Sequence, residues 1–147
     1  MFATRLNRRR FAALGAFALL TAAAGHAYAD SIKLTLLGVG DIYNFEGGKV
    51  RGGFARLNAV ARAEKAKDAS CIYVFDGDMF SPSLLSGLDK GENTVDLTNI
   101  VPFDIAVPGN HEFDFGLDNF YARIKQTKYP WAAVNITQED GSPVPGV

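Results

Sequence analysis

Within the segment VPGNHEFDFG, residues 107–116, an amide (Asn110), an imidazole (His111) and two carboxylates (Glu112, Asp114) fall close together. Oxygen and nitrogen donors of this kind suit Mn²⁺, Zn²⁺ or Fe rather than metals that prefer thiolate. Two more carboxylates stand in similar company upstream. Asp41 closes the apolar run IKLTLLGVGD and Asp78 closes CIYVFDGD, each directly after a glycine. Brought together, such residues could hold two metals about 3.5–4 Å apart that share one carboxylate, activate a hydroxide and clamp the oxygens of a phosphoryl group. Asp78 is the natural bridging candidate.

Taken singly, each residue has a plainer use. Aspartate or asparagine after glycine forms turns, which covers Asp41, Asp78 and Asn110. A solitary histidine is more often a satisfied, partly buried side chain than a ligand, and Asp114 could charge or cap a following helix. Turn chemistry does not account for His111 together with three ligand-type strand ends.

The elements that would position these residues alternate. Residues 32–41 read as a buried strand, and a loop containing EGGK follows. FARLNAVARAEKAK, residues 54–67, places Leu57, Val60, Ala61 and the stem of Glu64 on one helical face, opposite Arg56, Arg62 and Lys65. CIYVFDGD is a second strand, FSPSLLSG a loop with a short helical turn, and NTVDLTNIV a helix with Asn93 as its cap, stopping before Pro102. FDIAVPGN is a third strand, residues 117–128 a helix, and WAAVNI a fourth strand. Strands alternating with helices imply a largely parallel α/β sheet with right-handed crossovers. In such sheets ligands bind at the edge formed by the strands' carboxyl ends, where Asp41, Asp78 and Asn110–His111 all fall.

Composition narrows the partners. The first 29 residues have the form of a signal peptide: the basic TRLNRRR, an apolar stretch too short to span a bilayer, and the small-x-small site AYA at 27–29. Maturation would leave Asp30 first and an exported protein, periplasmic or extracellular, with no membrane anchor. Arg8 and Arg9 before Phe11 resemble a twin-arginine signal, and an arginine-rich general secretory signal is the other reading. Without the four arginines of that segment, 11 of the chain's 15 basic residues remain against 16 acidic ones, a net charge of −5. That balance argues against a nucleic-acid polymer or an anionic membrane as partner. Cys71 is the only cysteine, so no intramolecular disulfide forms, and its apolar setting favours burial over reactivity.

GVGDIY, FDGD and GNHEFDFG resemble the successive metal-site motifs of the calcineurin-like metallophosphoesterases, and GNHEFDFG is similar to the 5′-nucleotidase branch in particular. GGFARL (52–57) and YPWAAVNI (129–136) are similar to the same branch. The resemblance implies a layered αββα sandwich, two metal ions, and hydrolysis of phosphate esters of nucleotides or related compounds by a metal-activated hydroxide. Nucleotide-sugar, cyclic-phosphate and sulfur-ester hydrolysis are the related alternatives. Carried over by position, Asp41 resembles a carboxylate ligand of the first metal, Asp78 the bridging carboxylate and Asn110 a ligand of the second. His111 resembles the catalytic histidine, paired with Asp114. Glu112 reads as structural.

Two departures from that pattern stand out. The first motif of the family is usually Asp-x-His, whereas Tyr43 follows Asp41 and Ile42 here. A phenol with a pKa near 10 binds Zn²⁺ or Mn²⁺ less readily than imidazole, and Fe³⁺ can hold it as phenolate. Tyr43 is expected to line the first metal site all the same. The second departure is larger: His26 lies in the signal segment, so His111 is the single histidine of residues 30–147, and the family's further metal-binding histidines and nucleoside-binding domain have no counterpart. Residues 30–147 therefore read as the N-terminal half of the catalytic sandwich, with a sheet edge and an apolar face left uncovered. Weak metal binding and slow hydrolysis are expected of this chain alone. The competing reading is a catalytically incompetent binding or interaction module.

Overall fold

In the computed structural model, residues 31–147 are described, and the expected signal peptide at 1–29 lies outside them. Three short parallel strands, β1 (Leu36–Val39), β2 (Ile72–Phe75) and β3 (Ile105–Ala106), form one sheet in the order β1-β2-β3. The crossovers carry α1 (Phe54–Lys67) between β1 and β2, then α2 (Ser86–Asp89) and α3 (Glu92–Thr98) between β2 and β3; a 3₁₀ turn (Asn110–Glu112) and α4 (Leu117–Ile124) follow. The α/β class and parallel sheet agree with the sequence.

Several boundaries differ from the pattern-based expectation. β1 is shorter than the apolar run at 32–41 at both ends, and at its carboxyl end the chain leaves the sheet where Asp41 turns left-handed at φ 53° just beyond Gly40. β3 stops after two residues. Val107 still donates to the Phe75 carbonyl at 2.9 Å, but Pro108 has no N–H to continue the ladder. The fourth strand shrinks to a single parallel bridge, Ala106 with Trp131, made by Ala106 N–H to Pro130 O and Ala132 N–H to Ala106 O. A strand's register is held by one buried face, and Val134, in the middle of that run, is wholly exposed.

Helix α1 spans the expected residues, but its inward face is turned. Phe54, Asn58 and Ala61 are buried with Leu57 packed beside them, whereas Val60 is 50% exposed. Asn58 can sit inside because its amide donates to the Leu97 carbonyl at 3.1 Å, which joins α1 to α3. Asn93 is not a cap. It lies inside α3, and its backbone and side-chain amides both donate to Asp89 Oδ2. α4 ends at Ile124, short of Lys128, and the Thr127 hydroxyl donates to the Ile124 carbonyl at 2.7 Å.

The two faces of the sheet are unequal. Alternation and register put Leu37 and Tyr73 on one face together with Val39, Phe75 and Ala106. There an aromatic core forms, in which Trp131 meets Phe75, Phe80, Phe120 and Tyr129 at ring-centre distances of 6.0–6.1 Å. On the other face Leu36 is 63% exposed, and Ile72 and Ile105 are also exposed. No described helix packs over these three side chains. Cys71 is buried and free, as its setting suggested.

Candidate active site

The loops leaving the three strands run side by side at their carboxyl ends. Asp41 N–H donates to Gly77 O and Ile42 N–H to Asp78 O, each at 3.0 Å, so the Asp41 loop lies against the Asp78 loop. Asp78, like Asp41, has a left-handed backbone, φ 70° against 53°. That conformation costs about 1–3 kcal/mol for a non-glycine residue and persists only where the surroundings enforce it. At Gly109 a Cβ would stand 2.2 Å from Asp78 Oδ1, and at Gly77 one would stand 2.8 Å from Gly109 Cα. The two glycines let the β2 and β3 loops touch, which brings the carboxylate of one against the backbone of the other. His111 N–H completes the contact by donating to Asp78 Oδ1 at 3.0 Å.

Glu112 is the node beneath this contact. It is fully buried and accepts four backbone N–H groups: Met79 (2.7 Å) and Phe80 (3.3 Å) on Oε1, Asp78 (2.8 Å) and Gly109 (2.6 Å) on Oε2. Four donors and no acceptor suit a carboxylate and nothing else of that size. The structural role read from the sequence thus has a concrete form: one side chain from the 3₁₀ turn ties down the loop that follows β2.

His111 and Asp114 form the expected pair, Nδ1 to Oδ2 at 2.6 Å, with both side chains partly open to solvent. The hydrogen bond that Nδ1–H donates to Asp114 raises the imidazole pKa above its ordinary value; partial burial opposes this, and the charges of Asp114, Asp78 and Glu112 add to it. Asp114 is held below the usual carboxyl range by the Ser81 hydroxyl first and by His111 second. It does not cap α4, whose N-cap is Gly116. Tyr43 is half-buried, with its ring edge-on to the His111 ring at 6.4 Å and 71°.

The sequence missed Ser81. This buried residue donates to Asp114 Oδ2 and lies 3.3 Å from His111 Nδ1. Its only sequence signal is its place three residues after Asp78, in a stretch that otherwise reads as loop.

The arrangement is uneven around Asp41. The Asp41 side chain is exposed and engages none of the described residues, and it lines a cavity of about 670 Å³ with Asn44, Arg51, Arg56 and the glycines of residues 47–53. That cavity does not reach Asp78, Asn110, His111 or Asp114. Among the described residues no group of three or more His, Cys, Asp or Glu side chains is placed to hold a metal ion. Donor types at Asp41, Asp78 and Asn110 fit a hard or borderline cation, but as a set they fall short of a full coordination shell.

The chain belongs to the calcineurin-like phosphoesterase family, whose sequence model matches residues 34–144. It is similar to a 2′,3′-cyclic-nucleotide 2′-phosphodiesterase/3′-nucleotidase of Haemophilus influenzae, 24% identical over 90% of this chain and 23% of that protein. A snake venom 5′-nucleotidase of Naja atra is 28% identical over 72% of this chain and 22% of its own length. The chain thus spans under a quarter of the length of these relatives. Among solved structures, the NAD nucleotidase of Haemophilus influenzae superposes with a TM-score of 0.66 at 24% identity, over 74% of this chain and 22% of that one. A calcineurin-like phosphoesterase from Bacillus subtilis gives 0.63 at 21%, over 74% and 39%. These likenesses show the fold, with the described strands and helices matching one portion of larger phosphoesterase chains.

Proposed function

We propose that the chain carries part of the active site of an exported, metal-dependent phosphoesterase of the 5′-nucleotidase type, acting on phosphate esters of nucleotides or related compounds. The observation that carries this reading is the meeting of the β2 and β3 loops: His111 N–H on Asp78 Oδ1, with the His111–Asp114 pair directly beside it. Nucleotides as substrates rest on the names of the relatives, and export rests on the form of residues 1–29.

Asp41, Asp78 and Asn110 would hold two divalent or transition ions, Mn, Zn or Fe, with Tyr43 beside the first in place of an imidazole. When bound, such ions supply Lewis acidity toward water and phosphoryl oxygen. His111, protonated while Asp114 holds its Nδ1–H, presents Nε2–H to the developing charge on a phosphoryl or leaving-group oxygen. Asp114 fixes the ring and stabilises its cationic form. Asp78 receives the His111 backbone N–H, so the bridging candidate and the catalytic imidazole keep one fixed relation.

The test is phosphate release from 5′-, 3′- and cyclic nucleotides by this chain with added Mn²⁺, compared with Asp78→Asn. The expected outcome is slow release that a chelator and the substitution each abolish. Release indifferent to both would overturn the reading. A second reading, a metal-responsive binding module without turnover, is favoured by the incomplete ligand set. Its signature is a melting temperature raised by Mn²⁺ with no hydrolysis of any ester, since a ligand bound only by the folded state stabilises it.

A further inference from the structure

We infer that Ser81 is a positioning residue for the His111–Asp114 pair, a role that matters to catalysis only if the phosphoesterase reading holds. A serine hydroxyl has one proton to donate. Three polar atoms surround Ser81 Oγ: the acceptors Asp114 Oδ2 and, at 3.5 Å, the His111 carbonyl, and His111 Nδ1 at 3.3 Å. His111 Nδ1 stands 2.6 Å from the same Asp114 Oδ2 and must itself carry a proton to bond there. Both protons therefore converge on one carboxylate oxygen. Nε2 is left as the ring nitrogen outside the cluster.

Burial explains why the pair needs this third member. The side chains of His111 and Asp114 are 33% and 43% exposed, and a pair so placed can trade its mutual bond for water. Ser81 is 3% exposed and follows Met79 and Phe80, two fully buried residues whose N–H groups Glu112 holds. Its hydroxyl is thus fixed to the rigid part of the molecule. The loop that presents Asp78 also presents, three residues on, the group that stops Asp114 from rotating. A phosphoryl group bound beside Asp78 would meet an imidazole whose orientation is set before it arrives.

The decisive measurement is the His111 Nδ1–H resonance in ¹⁵N-histidine-labelled, metal-free protein at one fixed pH, assigned by its loss in His111→Gln. Wild type is expected to show a sharp, downfield, slowly exchanging proton. Ser81→Ala should broaden or lose it, while Ser81→Thr, which keeps the hydroxyl, restores it. The Asp78–Phe80 amide resonances report whether the Glu112 node is intact. If Ser81→Ala disturbs them, Ser81→Cys, similar in shape but a weak donor, takes its place with the same expectation. An unchanged Nδ1–H resonance in a variant with an intact node would overturn the assignment.

Turnover supplies the catalytic half: kcat falls about ten- to a hundredfold in Ser81→Ala with KM unchanged, and the threonine variant recovers it. Absence of turnover in every variant, wild type included, would overturn the phosphoesterase reading while the resonance still decides the role of Ser81.

Discussion

The β2–β3 side of the sheet edge and the β1 side are built differently. On the first, Asp78, Gly109, His111 and Asp114 are linked through Glu112 and Ser81 into one hydrogen-bonded network. On the second, Asp41 is tied among the described residues only through its backbone, and the following loop is held chiefly by the exposed Arg56 guanidinium on the carbonyls of Gly48, Lys49 and Gly52. The contrast continues through the sheet, from an aromatic core on one face to exposed Leu36, Ile72 and Ile105 on the other. The lesson is that this chain preorganises the imidazole half of the site by itself. The half built on Asp41 has its strand and its carboxylate in place, but no described residue fixes the side chain.

If that is so, substitutions on the two sides must differ in kind. The largest effect is expected at Glu112. Replacing it by glutamine turns an NH₂ toward two N–H groups that now have a carboxylate oxygen, and each buried donor left unpaired costs about 1–3 kcal/mol. A loss of about 2–5 kcal/mol is expected in urea denaturation, a large part of the roughly 5–15 kcal/mol of a whole domain. A loss below about 1 kcal/mol would mean the node is not what holds the β2 and β3 loops together.

On the β1 side the expected sign reverses. Asp41 pays for its left-handed φ of 53° with no side-chain partner among the described residues, so Asp41→Gly should relieve strain and stabilise the metal-free protein by about 1 kcal/mol. The same variant should lose whatever stabilisation Mn²⁺ gives wild type. Destabilisation by Asp41→Gly without metal would show that the β1 loop is more firmly built than its bonds suggest, and would erase the contrast.

These asymmetries also explain what could be read from the sequence. Helix α1 was legible in full extent because Phe54–Lys67 carries an uninterrupted helical pattern, and the strand ends were legible because Gly-Asp and Gly-Asn interrupt apolar runs. The inward face of α1 was not, since burying Asn58 depends on a carbonyl supplied by α3. The fourth strand was overread because WAAVNI has strand-like composition, whereas pairing needs a neighbour longer than the two residues of β3. Within the site, the pairing of His111 with Asp114 was legible through the resemblance of GNHEFDFG to the phosphoesterase motif, whereas residue type alone left Asp114 open to a capping role. Ser81 lies 30 residues before His111, and nothing local distinguishes its hydroxyl from those of Ser83 or Ser86.

The smallest expected effect concerns charge within the imidazole half, read as stability against pH in metal-free protein. The folded His111 pKa is raised, so its contribution is complete below the ordinary imidazole value of 6.5 and is lost as pH rises through the folded value. The folded Asp114 pKa is lowered, so its contribution is complete above the ordinary carboxyl value of 3.8 and is lost as pH falls through the folded value. Both contributions therefore overlap between the two ordinary values, pH 3.8 and 6.5, where each group favours its charged form. Asp114→Asn keeps an oxygen that can accept from Ser81 but removes the charge facing His111. The stability gap between wild type and Asp114→Asn should be widest in that window, narrow on either side of it, and shrink in high salt because both side chains are partly exposed. A gap that does not vary with pH would mean that Ser81, rather than the ion pair, supplies what Asp114 contributes to the fold, which would shift the weight of this half of the site from charge to the neutral hydrogen bond.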